Sequence, residues 1–92
     1  MQMKNPAHPG LLIKEEIEAL GISVAELALR IGVSRQMLFR IIKGHAGITA
    51  EMSLKLAKAF KTSPEFWVNM QTQYDLAQAK LKINTDNIQA YG

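Results

Sequence analysis

The stretch SVAELALRIGVSRQMLFRIIKG, residues 23–44 of a 92-residue chain, decides the fold. It reads as two short helices joined by a tight turn. Ser23 is placed to cap the first, Glu26 three residues on completes a capping box, and Ile22 and Leu27 occupy the staple positions around that cap. Leu27, Ala28 and Ile31 then share one apolar face. Gly32 ends the helix, because left-handed backbone costs glycine least. Ser34 caps the second helix, Val33 and Leu38 make its staple, and Gly44 stops it. Helix, glycine-containing turn and helix make the pattern of a helix-turn-helix.

Charge points the same way. Within residues 23–44 the bases are Arg30, Arg35, Arg40 and Lys43, against the single acid Glu26. The remainder holds seven bases and seven acids, so the whole net charge of +3 lies in the motif. That is where a phosphate backbone would be met. At 100° per residue Leu38, Ile41 and Ile42 fall on one side of the second helix and must face the core. Gln36, Arg40 and Lys43 fall opposite, with Arg35 at the leading end. Phe39 borders the outer face, where it suits either a thymine methyl or a protein neighbour.

Outward from the motif, residues 1–7 read as a loose arm and residues 8–81 as one small domain. A first helix is predicted over 9–20, with Pro9 in its first turn, Ile13, Ile17 and Leu20 inward, and Glu15, Glu16 and Glu18 outward. Thr49 caps a fourth helix with Met52, Leu56, Ala57 and Phe60 on its core face. Ser63 caps a fifth, reaching to about residue 81, with Pro64 and Glu65 suited to its start. Along it Trp67, Met70, Tyr74, Ala77 and Leu81 recur at spacings of three and four, a heptad-like seam. A domain this small gains from sharing a core, so the seam predicts a homodimer built by this helix. The polar tail from residue 82 to 92 has no clear period.

The chain contains no cysteine, which excludes disulfides and thiolate metal sites and suits a reducing cytoplasm. No apolar run approaches the ~18 residues of a membrane span, so no membrane partner is expected. His8 and His45 stand far apart, no serine sits in a nucleophile elbow, and the glycines occur singly. The expectation is a protein that is not an enzyme, with no cofactor and no metal.

Several pieces together resemble one family. His8-Pro9-Gly10, the 23–34 stretch, Gly47-Ile48-Thr49, Leu56-Ala57 and above all SPEFWVNMQTQYDL at 63–76 make the chain similar to HigA-type antitoxins, which are Xre-like helix-turn-helix proteins of bacterial toxin–antitoxin modules. The resemblance covers about residues 8–81. It implies an all-α, five-helix, Xre- or lambda-repressor-like domain that dimerises on operator DNA and represses its own operon. It also implies a HigB-like toxin partner, an mRNA-cleaving RNase of the RelE type. The positions matching the DNA-reading helix are Arg35, Gln36, Phe39 and Arg40, with Ser34 and Lys43 at phosphate-contact positions. Many relatives carry glutamine at the first residue of the second helix, where this chain has Val24. A stand-alone transcription regulator without a toxin is the alternative.

Overall fold

The computed structural model describes residues 6–92. Five helices follow one another: α1 (Pro9–Leu20), α2 (Val24–Ile31), α3 (Arg35–Ile42), α4 (Ala50–Phe60) and α5 (Pro64–Lys82). Among the described residues there is no strand. Local sequence explains where the helices begin. Ser23, Ser34, Thr49 and Ser63 each accept a backbone N–H three residues on, at 3.0, 3.0, 3.1 and 3.2 Å. Each satisfies one of the donors that a helix start leaves open. The first helix differs: His8 caps it through its ring, Nδ1 accepting the Gly10 N–H at 2.9 Å.

The core gathers one stripe from every helix. Ile13, Ile17, Leu27, Ala28, Leu38, Ile41, Met52, Leu56, Ala57 and Trp67 are buried, and Ile48 joins them from the loop before α4. At Gly10 α1 lies close against α3. A Cβ at Gly10 would run into the Ile41 carbonyl oxygen, so only glycine lets the start of α1 lie directly on the back of α3. The most extensive packing is between α4 and α5.

Three expectations need correcting. Leu20 is 58% exposed rather than on the core face. Gly21 reverses the chain there, and Ile22, its N–H bonded to the Ile17 carbonyl at 3.1 Å, packs on the core instead. The expected arm at residues 1–7 lies outside the described residues as far as residue 5, and Pro6 is already buried. The seam on α5 is not one continuous surface. Trp67 is 1% exposed within the single chain, stacked near Phe60 and Phe66, with its Nε1 donating to Thr62 Oγ1 at 2.8 Å. It is consumed by its own protomer and has no face for a partner. From Ala79 onward every residue is exposed. The end of α5 and the tail project from the body, which gives extents of 52 × 23 × 22 Å. Among the described residues no helix is long and apolar enough to cross a membrane.

Candidate nucleic-acid interface

Two buried side chains set how α3 is turned. Leu38 is 0% and Ile41 1% exposed, and Ile42 packs partly behind them. At 100° per residue that leaves Gln36, Phe39 and Arg40 on the outside, while Arg35 is the first residue of the helix, and all four are exposed. Ser34 and Lys43 flank them at the two ends of the helix, also exposed. All six residues expected to face nucleic acid are thus exposed along α3 and its two ends. Phe39 is 41% exposed and stands outside the core cluster, so its ring belongs to that surface rather than to the interior. Val24 packs against the core.

The turn presenting this surface is short. Gly32 (φ 73°) closes α2, and the Val33 N–H returns to the Ala28 carbonyl at 3.0 Å. At the other end of α3 the Gly44 N–H bonds to the Ile41 carbonyl at 3.0 Å and the His45 N–H to the Arg40 carbonyl at 2.8 Å. The eight-residue helix is thus started by the Ser34 side chain and closed at its end by its own backbone. Its outer edge offers a forked guanidinium at Arg35 and Arg40 and a side-chain amide at Gln36. Such groups suit paired hydrogen bonds to guanine and adenine. The surface contains no acid-base pair or metal-ligand cluster, and among the described residues no group of His, Asp and Glu could hold a metal ion.

Comparison with known proteins agrees with this geometry. The helix-turn-helix family matches residues 13–67, from the first core residue of α1 to Trp67. Virulence-associated protein A' of Dichelobacter nodosus is 53% identical over 78 residues, spanning 84% of this chain and 68% of that protein. An addiction module antidote protein of a HigA family from Coxiella burnetii superposes with a TM-score of 0.87 at 34% identity, covering 95% of this chain and 99% of that one. The chain belongs to the HigA-type helix-turn-helix family. The antitoxin GraA in complex with its operator superposes equally well, with a TM-score of 0.87 at 33% identity over 100% of this chain and 96% of GraA. Members of this family are DNA-binding regulators rather than enzymes, as the absence of catalytic motifs led us to expect.

In this HigA-type chain two features escape a reading by sequence. Arg30 on α2 is joined across a groove by Lys55 and Lys58 of α4 and by Lys61 just after it, around Leu54, so a second positive surface flanks the motif. Charge counted along the chain missed it, because those lysines are balanced by acids elsewhere. The second feature is a set of polar side chains behind α3. His8 is 9% and Gln71 9% exposed, and the His8 ring meets Tyr74 edge-on at 4.8 Å. Burial pulls the His8 imidazole below its ordinary 6.5, against the opposing pull of the Ala46 backbone and the Asp75 carboxylate. The one signal in the sequence was Gln71 itself, a polar residue four positions after Trp67 and so on the same side of α5.

Proposed function

We propose that the chain is a homodimeric antitoxin that binds its own operator through α3, represses its operon in the cytoplasm and neutralises a HigB-like mRNA-cleaving toxin. One observation carries the DNA part: Arg35, Gln36, Phe39 and Arg40 are all exposed on α3 of a scaffold that matches an operator-bound GraA along its whole length. Arg35, Gln36 and Arg40 read base edges. Ser34 and Lys43, at the ends of α3, meet phosphates. A palindromic operator requires two such helices about 34–36 Å apart, which a two-fold dimer supplies.

The dimer uses the outer side of α5. Met70, Tyr74 and Ala77 are partly exposed and Leu81 is 80% exposed. If two α5 helices cross antiparallel at Gln73, Leu81 lies about 12 Å from the centre and reaches the level of the partner's Phe66 at a rise of ~1.5 Å per residue. Apolar end then meets apolar end. Trp67 braces this face from behind. Replacing Met70 and Leu81 with glutamate gives folded monomers by light scattering, and a persisting dimer would place the interface elsewhere.

RNases of the RelE type hold RNA and are basic, so the exposed Glu15 and Glu18 of α1 offer a complementary surface for the toxin. Charge reversal at both slows toxin association at low salt. For DNA the decisive experiment is titration of folded variants against operator and random DNA at two salt concentrations. The triple variant Arg35→Ala, Gln36→Ala, Arg40→Ala loses operator preference. Lys43→Ala weakens all sequences alike and lowers the salt slope by about one per site. Wild-type specificity in the triple variant would end the assignment. Co-expression with a small basic toxin separates an antitoxin from a stand-alone regulator.

A further inference from the structure

Three separated pieces of sequence meet behind the recognition helix: His8-Pro9-Gly10, Gly47-Ile48-Thr49 and the Gln71-to-Asp75 part of α5. What they hold is the loop that follows α3. The loop starts on α3 itself, since the His45 N–H closes on the carbonyl of Arg40. It ends at Ile48, whose N–H is buried and donates to Gln71 Oε1 at 2.7 Å. The Gln71 amide is oriented in turn, its Nε2 donating to Asp75 Oδ1 at 3.0 Å. Gly47 makes room for it: a Cβ there would stand 3.3 Å from the Gln71 amide carbon and nitrogen. From the opposite side, His8 lies against Ala46 and Gly10 rests on the Ile41 backbone.

We propose that Gln71 is a positioning residue for DNA reading, its amide fixing the loop after α3 to α5 so that the dimer helix sets where the recognition helix stands. The proposal rests on the reading of α3 as the DNA-facing helix. A buried backbone N–H without an acceptor is costly, so the loop cannot leave Gln71 freely. Asp75 decides which end of the amide faces Ile48: only the oxygen can, because the nitrogen is held by the carboxylate. The two recognition helices of a dimer must keep a set spacing to engage two half-sites at once. A loose join between α5 and α3 would blur that spacing and leave the base-reading side chains intact.

The chemistry of the pair supplies a reversible test. Gln71→Glu keeps an acceptor for Ile48 but sets two carboxylates side by side. Adding Asp75→Asn restores a donor, now on residue 75, with the direction of that hydrogen bond reversed. In the full-length dimer, Gln71→Glu should raise hydrogen exchange at the Ile48 amide by about tenfold and lower the preference for a two-half-site operator over random DNA, with random-DNA affinity unchanged. The double variant Gln71→Glu, Asp75→Asn should return both to wild type. Gly47→Ala, which presses on the same amide from the loop, should reproduce the single variant and covers the case in which Gln71→Glu does not fold. Unchanged Ile48 exchange in Gln71→Glu and in Gly47→Ala would overturn the clamp. Faster exchange with operator preference intact would overturn its role in reading. The triple α3 variant run alongside separates the two layers: if it keeps operator binding, α3 is not the reading helix and the positioning role falls with it, whereas its loss with Gln71→Glu unaffected condemns the clamp alone.

Discussion

Among the described residues α3 buries only Leu38 and Ile41, both aliphatic, and turns arginines and a glutamine outward, whereas α5 buries Trp67 and a glutamine and leaves Leu76 and Leu81 in solvent. Both are capped by serine and both were read by spacing. For α3 the spacing sufficed, because one side of a short helix meets the core and the other meets nothing of its own chain. For α5 it did not. The helix has 19 residues against eight, and its buried residues, Trp67 and Gln71, both lie in its first half. There a polar residue earns burial by a hydrogen bond to a loop 23 residues away in sequence. In its second half Leu76 and Leu81 are left exposed. Apolar spacing therefore marks what a helix can bury, while the partners decide what it does bury.

The largest effect expected from this contrast lies at Trp67. Trp67→Ala should cost about 3–5 kcal/mol in chemical denaturation, the range for emptying a buried aromatic site. Leu81→Ala should change stability by under about 0.5 kcal/mol in dilute solution. If α5 builds the dimer, the Leu81 effect grows with protein concentration, since association adds to stability by mass action. Equal costs for the two at high dilution would erase the distinction between the halves of α5.

His8 comes next. It caps α1 through a neutral ring nitrogen, so His8→Ala should cost about 1–2 kcal/mol at pH 7.5. The pH dependence has a defined sign. Burial holds the folded imidazole below its ordinary 6.5, so the unfolded chain takes up the proton first. The stabilisation is whole above pH 6.5, declines as pH falls from there, and is lost once the folded form is protonated as well. His8→Asn retains a capping acceptor and should lack this contribution. Parallel denaturation curves for the two proteins between pH 7.5 and 5 check it, and identical pH profiles would remove His8 as the titrating cap.

Smaller again is Ser34→Ala, about 1 kcal/mol, measured by the same denaturation. It sharpens the comparison because α3 has eight residues and its start is secured by this one side-chain oxygen. The smallest effect has the opposite sign. Lys61 ends α4 at φ 57°, left-handed backbone that costs a non-glycine residue about 1 kcal/mol. Lys61→Gly relieves that but adds freedom to the unfolded chain, leaving a gain of a few tenths of a kcal/mol and a Tm about 2 °C higher. A fall in Tm would mean that the Lys61 side chain contributes more than its backbone loses.

Five helices, their serine and threonine caps and the outward set on α3 were legible in the residues themselves. All of these rest on interactions within one or two turns: a hydroxyl accepting an N–H three residues on, a glycine at a left-handed end, an apolar pair on one side of eight residues. The roles of Leu20, Trp67, His8 and Gln71 were not legible, because each depends on what another segment brings to it. Leu20 is displaced by Ile22 after a chain reversal, and Trp67 is covered by the neighbouring Phe60 and Thr62. His8 is enclosed by α5 and the α3–α4 loop, and Gln71 finds its acceptor's partner only when that loop arrives at α5. Local backbone chemistry determined which elements form, and the tertiary packing alone decided which polar groups could be buried and which apolar ones were left outside.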